Sequence, residues 1–82
     1  MGWNVNTDNC GSIRYSSWGE ISEWLKNKGI GYIYDGENDT VVVKLDVLKT
    51  IDLKSFRKEL PNTCFDKCIK ECLDEEQDLM LY

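Results

Sequence analysis

Three of the four cysteines in this chain recur at intervals of four residues, within the segment TCFDKCIKEC. Cys64, Cys68 and Cys72 could bind a metal ion, form a redox-active pair, or pack as small apolar side chains. A spacing of four places side chains on one side of an α-helix, and Phe65 and Ile69 extend the same apolar stripe. Free cysteine is readily buried and behaves as a small hydrophobic residue. We therefore predict that the three cysteines line the inner face of a helix.

Metal binding by these cysteines is disfavoured by their geometry. Cys64 and Cys72 would lie about 12 Å apart along a helix axis, whereas each thiolate ligand of zinc lies ~2.3 Å from the ion. Two of them together with Cys10 would still need a fourth ligand, and the chain contains no histidine. A disulfide between the first and third would exceed the ~7 Å Cα separation that such a bond spans. We predict no metal, no cofactor and free thiols.

The residues that common catalytic sites require are largely missing. Without histidine the chain cannot form a Ser-His-Asp triad or a Cys-His dyad. It has neither a Walker loop nor a GxGxxG motif. Asp35, Glu37 and Asp39 form an acidic cluster in the segment DGENDT, but they lack the length and spacing of an EF-hand loop. We predict that the protein is not an enzyme and that this cluster is the polar tip of a hairpin.

The net charge of −5 is concentrated at one end of the chain. Residues 1–70 contain equal numbers of acidic and basic residues, whereas the final segment, ECLDEEQDLMLY, contains acidic residues and no basic one. Such a surface repels phosphate backbones, which disfavours direct nucleic-acid binding. It attracts a basic protein surface and accelerates the encounter with it. The charge therefore predicts a protein partner with a basic surface.

The sequence carries no signal for secretion or for membrane insertion. The start, MGWNVNTDNC, lacks the basic and apolar regions of a signal peptide. No apolar run approaches the ~20 residues that cross a bilayer. We predict a cytoplasmic protein, without membrane contact, whose thiols are kept reduced.

The first third of the chain shows a strand pattern followed by a helix pattern. Alternation of polar and apolar residues predicts a β-hairpin over 3–16. Ser17 and Glu20 match a capping box, and apolar residues at helical spacing follow, so we predict a helix over 18–28. Gly29 is placed to end this helix in the left-handed conformation.

A second hairpin is predicted over 30–48. Alternate valines of its second strand share one face, which predicts a sheet with one face on the core and the other partly exposed. In a strand, Tyr32 and Tyr34 point to one face and Ile33 points to the other. We therefore expect either the two tyrosines or Ile33 to face outward. Exposed aromatic side chains are typical of interface hot spots.

Two helices are predicted to complete the chain. Asp52 is placed to cap the first, which ends at Leu60 before the single proline. Thr63 and Asp66 form a second capping-box pattern at the start of the last helix, which continues through the acidic segment. The predicted order is ββαββαα. We expect an α+β fold in a single globular domain, residues 1–82, in which a small antiparallel sheet of two hairpins has helices packed on one face.

These features predict a small acidic protein-binding module, an inhibitor or regulator that occupies a basic surface of a larger protein. If that surface normally binds nucleic acid, its occupation blocks binding. In size and charge the chain resembles phage- or plasmid-encoded antagonists of host nucleic-acid machinery. The alternative is a structural or assembly subunit that oligomerises and has no inhibitory role. The predicted partner-binding residues are all acidic: Glu71, Asp74, Glu75, Glu76, Asp78, Asp35, Glu37 and Asp39.

Overall fold

The fold follows the predicted α+β class, with one strand and one helix more than the sequence indicates. A computed structural model describes residues 2–61 and 63–82. Within these residues the element order is ββαββαααβ. The strands are β1 (Gly2–Asn4), β2 (Ser12–Arg14), β3 (Ile33–Asp35), β4 (Thr40–Val43) and β5 (Leu79–Leu81), and the helices are α1 (Tyr15–Asn27), α2 (Leu45–Leu48), α3 (Leu53–Glu59) and α4 (Phe65–Glu75).

The strands form two antiparallel sheets that meet at β5. Strands β1 and β2 pair with each other, and β3, β4 and β5 form the second sheet in that order. An antiparallel bridge joins Val5 to Leu81, and the backbones of Asn4 and Tyr82 exchange hydrogen bonds of 2.8 and 2.9 Å. The two predicted hairpins therefore exist, but β5 lies between them and connects them into a strand succession of 3-4-5-1-2.

One face of the joined sheets carries the core. Val41, Val43, Leu79 and Leu81 point to this face, and each is at most 1% exposed. Side chains of the opposite parity remain exposed or half-buried, which confirms that the helices pack on one face. Aromatic contacts extend the core between helices. The side chains with less than 2% exposure are Ile21, Leu25, Val41, Val43, Leu48, Phe56, Phe65, Cys68, Ile69, Cys72, Leu79 and Leu81.

Helix α1 begins three residues earlier than predicted, at Tyr15, and ends at Asn27, one residue before the predicted Lys28. Strand β2 leads directly into the helix at Tyr15, and the N-cap residue Arg14 makes no side-chain capping bond, so the predicted Ser17 capping box is wrong. Gly29 adopts a φ of 71°, as predicted. The amide of Ile30 donates to the carbonyl of Leu25 at 2.8 Å, which completes a Schellman motif.

The second predicted hairpin is shorter than expected, because its last residues form α2. Strand β4 ends at Val43, and residues 45–48 turn into a short helix. The amide of Leu45 donates to an Asp78 carboxylate oxygen at 2.7 Å, which satisfies a free donor at the helix start. Asp78 lies 33 residues away in sequence, so local patterns cannot reveal this cap.

Helix α3 begins as predicted. Asp52 accepts hydrogen bonds from the amides of Lys54 and Ser55, at 3.0 and 3.4 Å, which confirms the predicted cap. The helix ends at Glu59, one residue before the predicted Leu60.

Helix α4 differs from its prediction at both ends. Its N-cap residue, Cys64, makes no side-chain capping bond, and Thr63 donates to the Leu60 carbonyl instead, so the predicted capping box is wrong. The helix ends at Glu75 because Glu76 turns left-handed, with a φ of 53°. The residues after it extend into β5 and are not helical.

Candidate protein-interaction surface

An uncovered apolar patch lies on the outer face of the three-stranded sheet. Ile33, Val42 and Met80 are direct neighbours across β3, β4 and β5. Ile33 is 53% exposed and Met80 is 39% exposed. Tyr82 has the same parity as Met80 and is 53% exposed. We call Ile33, Val42, Met80 and Tyr82 the outer apolar patch.

Two tyrosines enlarge the apolar surface at the edge of the sheet. Tyr34 lies opposite Val41 and so has the parity of the core face, yet it is 59% exposed because β3 is an edge strand. Its hydroxyl donates to Asp39 at 3.4 Å. Tyr32 packs edge-on against Trp18, with ring centroids 5.2 Å apart. Side chains on both faces of this segment are therefore exposed, whereas the sequence predicted exposure on one face only.

The acidic turn between β3 and β4 contains one structural carboxylate and two exposed ones. Asp35 accepts hydrogen bonds from the Asn38 side chain at 2.7 Å and from the Glu37 amide at 3.0 Å. The bond from the Asn38 side chain is the main reason that the pKa of Asp35 is lowered from its ordinary value. Glu37 and Asp39 are exposed, and Asp39 adopts a φ of 51°. Asp35 thus shapes the turn, and the other two carboxylates point their charge at solvent.

Two of the predicted C-terminal contact residues hold the fold together. Glu71 accepts from the amides of Asp8 and Asn9, at 2.7 and 3.0 Å, and so fixes the loop between β1 and β2 to α4. Asp78 caps α2, and its carboxylate lies 3.4 Å from the ammonium group of Lys44. The hydrogen bond from the Leu45 amide is the largest cause of the lowered pKa of Asp78.

The remaining acidic residues of the segment, Asp74, Glu75 and Glu76, are exposed at the end of α4. The last turn of this helix contains no basic residue. Negative charge at a helix C-terminus opposes the helix dipole, so these side chains lower the stability of the helix. We call Asp74, Glu75 and Glu76 the acidic helix end.

The two acidic groups predicted from the sequence lie at opposite ends of the three-stranded sheet. The turn follows the Asp35–Thr40 pair, whereas Asp78 lies beyond the Val43–Leu79 pair. The length of β4 separates them, about 10 Å at 3.3 Å per residue. The structure therefore does not bring the predicted contact residues together, and along the strand direction the outer apolar patch lies between the acidic turn and Asp78.

No family model, curated protein or solved structure matches this chain. What the surface can bind follows from its own residues.

The sequence pattern does not reveal the outer apolar patch, because it predicts helix where the structure has β5. On a helical wheel Leu79 and Met80 both fall on the apolar side, whereas in the strand Leu79 is buried and Met80 is exposed. The signal available was the alternation of the last four residues, LMLY, which is too short to outweigh the helical pattern before it.

The cysteines divide into a bonded pair and a packed pair. Cys10 and Cys64 form a disulfide across 54 residues of sequence, so the predicted reduced thiols are wrong at these two positions. Their Cα atoms are 6.3 Å apart, because the loop after β1 folds back onto the start of α4. Cys68 and Cys72 are free and have no exposed surface, which confirms their predicted packing role.

Burial makes the two free thiols poor nucleophiles. It raises the pKa of Cys68 and raises that of Cys72 to about 11. The thiolate is the reactive form, so both side chains are inert at neutral pH. Across residues 2–61 and 63–82, no group of three or more acidic, cysteine or histidine side chains is placed to hold a metal ion.

A polar cleft lies between α4 and the loop after β1. Lys67, Lys70, Glu71 and Asp74 contribute charges of both signs to it. A cleft with both positive and negative side chains does not favour a ligand of either charge.

None of the described helices combines the length and the apolar character needed to cross a bilayer.

Proposed function

We propose that this protein binds another protein through the outer apolar patch and the acidic groups on either side of it. The observation that carries the proposal is the uncovered row of Ile33, Val42 and Met80 across the three strands, with the acidic turn beyond one end of β4 and Asp78 beyond the other. Protein interfaces commonly combine an apolar centre containing aromatic residues with a polar rim. Here the rim is negative, so the complementary surface is basic.

The acidic helix end supports the same proposal. Within the described residues, the side chains of Asp74, Glu75 and Glu76 make no hydrogen bond or ion pair that would explain their presence. They also stand where negative charge destabilises a helix. Residues that lower the stability of their own helix, without making a stabilising contact elsewhere, are typical of functional surfaces.

Inhibition or regulation is the activity we propose for such a module. A basic surface on a larger protein commonly serves nucleic-acid binding. An acidic protein that occupies this surface excludes the nucleic acid, and it need not bind nucleic acid itself. This is the mode of action proposed here, for a cytoplasmic protein of the phage- or plasmid-encoded type that antagonises host machinery.

Capture of a partner from host extract tests the proposal. The variant Glu75→Lys/Glu76→Lys reverses two charges of the acidic helix end. We expect the captured partner to bind this variant about tenfold or more weakly at low salt, because rim charges govern encounter and register. The affinity of the wild-type chain should fall as salt rises. Nucleic acid should compete with the protein for the captured partner.

A matched variant, Glu20→Lys/Glu23→Lys, makes the same change in charge on the exposed side of α1. We expect its capture to stay close to that of the wild-type chain. Equal loss in both variants would assign the effect to net charge alone. Undiminished, salt-insensitive capture by the first variant would contradict the proposal.

A further inference from the structure

Strand β3 is an open edge of the sheet. Only β4 pairs with it in the described part of the chain. The other edge strand, β2, is more enclosed, since it runs straight into α1 and its Ser12 carbonyl lies 3.5 Å from the Cys10 sulfur. An edge strand presents free amide and carbonyl groups that can pair with another strand.

The hydrogen-bond pattern shows which residue presents these groups. The backbone of Met80 bonds Asn6 on the β1 side, with its carbonyl accepting from the Asn6 amide at 3.2 Å. Since successive residues of an antiparallel strand bond in opposite directions, Leu81 bonds β4. The same alternation applies to β4 and then to β3 through the strand register. The backbone groups of Ile33 therefore point toward β4, and the amide and carbonyl of Tyr34 point toward the free edge.

The edge strand is short, with three residues, but it lacks three of the devices that usually prevent strand addition. Lysine, proline or a covering element normally protects such an edge. The segment from Tyr32 to Asp35 contains neither lysine nor proline, and its side chains at 32, 33 and 34 are 39%, 53% and 59% exposed. Two side chains of opposite parity, Ile33 and Tyr34, would flank an added strand on its two faces.

The charge of this hairpin selects the occupant. Residues 29–43 contain Asp35, Glu37 and Asp39 and no lysine or arginine. Pairing with a second copy would bring two such hairpins together and their negative charges with them, which opposes association. A strand that carries basic side chains is attracted to the hairpin instead, because its positive charges meet the carboxylates of the same turn.

We propose that β3 accepts an extended basic segment of the partner protein as an additional β-strand. This inference rests on the proposed function and specifies how part of the partner is recognised. The backbone of Tyr34 supplies the pairing groups, and the carboxylates of Glu37 and Asp39 attract the basic side chains. Added beside Ile33, the new strand extends the row of the outer apolar patch.

The first test uses a short synthetic peptide of alternating lysine and valine, titrated into isotope-labelled protein and followed by amide NMR. We expect shifts at residues 32–36 and at their β4 neighbours. A peptide of the same sequence, with methyl groups on the backbone amides that would face β3, keeps its charge but cannot pair. It should bind about tenfold or more weakly.

Variants at Tyr34 test the same bonds from the side of the protein. Tyr34→Pro removes the outward amide without removing a donor to β4, whereas Tyr34→Ala removes the ring and keeps the amide. We expect the proline variant to bind the peptide about tenfold or more weakly than the alanine variant. Amide spectra of both variants without peptide report whether the hairpin is retained.

A double variant tests whether the negative charge of Glu37 and Asp39 is needed for peptide binding. Glu37→Gln/Asp39→Asn keeps the left-handed turn, because asparagine tolerates the φ of 51° at position 39. We expect about fivefold weaker peptide binding. Glu20→Gln/Glu23→Gln, with the same charge change on α1, should bind the peptide as the wild-type chain does.

Three results would overturn the inference. One is equal binding of the methylated and unmethylated peptides, which would leave charge as the whole attraction. Another is the absence of any shift at residues 32–36. The third is a concentration-dependent shift of these amides without peptide, with a dimer in sedimentation, which would assign the edge to a second copy. If Tyr34→Pro still captures the host partner while Glu75→Lys/Glu76→Lys does not, only the strand pairing fails and the proposed function stands.

Discussion

Cys68 is a packing residue whose thiol also makes a polar contact with the backbone. Its side chain is completely buried, and its thiol donates to the Cys10 carbonyl at 3.4 Å. The spacing of four residues predicted this burial, because it depends on the helix alone. The bond between Cys10 and Cys64 could not be predicted in this way, because the two cysteines meet only after distant parts of the chain have folded together.

At the residue scale, Cys68→Ser is expected to lower the free energy of unfolding by about 1–2 kcal/mol. A hydroxyl loses more hydration on burial than a thiol does, and the Cys10 carbonyl offsets only part of that loss. Urea denaturation at neutral pH measures the change.

Lys67→Ser is the control for this prediction, since it introduces the same side chain at an exposed position of α4. Its effect should stay within about 0.5 kcal/mol. Equal stability of Cys68→Ser and the wild-type chain would show that the hydroxyl is fully accommodated and contradict the packing argument.

The helix boundaries that were predicted correctly depend on short-range contacts. Asp52 bonds amides two and three residues ahead, and Gly29 closes a motif within the same turn of α1. The elements that were missed depend on long-range ones. Helix α2 is capped by Asp78, and β5 exists as a strand because β4 and β1 pair with its two sides. The outer apolar patch depends on β5, so local sequence patterns could not predict it either.

Gly19 within α1 and Gly29 just after its end allow a prediction at the scale of the element. An alanine Cβ at either Gly19 or Gly29 would have no atom within 4 Å, so neither substitution is limited by space. Only Gly29 has a positive φ, of 71°. Gly29→Ala should destabilise the protein by about 1 kcal/mol, because alanine is strained in the left-handed region.

Gly19→Ala should have the opposite sign, because Gly19 lies inside the helix. Alanine there reduces the entropy of the unfolded chain and should add about 0.5–1 kcal/mol of stability. Thermal and urea denaturation of the two single variants measure both changes. Destabilisation by both would show that α1 does not continue through residue 19 as described.

At the scale of the whole molecule, the loop after β1 is attached to α4 in several ways. The disulfide joins Cys10 to Cys64, the Glu71 carboxylate holds two loop amides, and the Cys68 thiol contacts the Cys10 carbonyl. The noncovalent contacts do not involve the sulfur atoms of the disulfide, so its reduction does not remove them directly. We therefore expect the reduced protein to keep its fold and to lose stability.

The size of that loss follows from the length of chain that the disulfide closes. A separation of 54 residues corresponds to about 4 kcal/mol in the loop-entropy model, and measured values commonly lie between about 2 and 4 kcal/mol. Urea denaturation of the wild-type chain with and without a thiol reductant should show a difference of this order. The amide spectrum of the reduced chain should remain that of a folded protein.

The variant Cys10→Ser/Cys64→Ser provides the control, because it removes the bond and leaves the two buried thiols in place. Its stability should match that of the reduced wild-type chain and should not respond to the reductant. Alkylation of the chain in intact host cells then decides which form operates there. A chain that is fully alkylated at Cys10 and Cys64 in the cell carries the reduced form that a cytoplasmic location requires, whereas protection of both cysteines places it in an oxidising compartment.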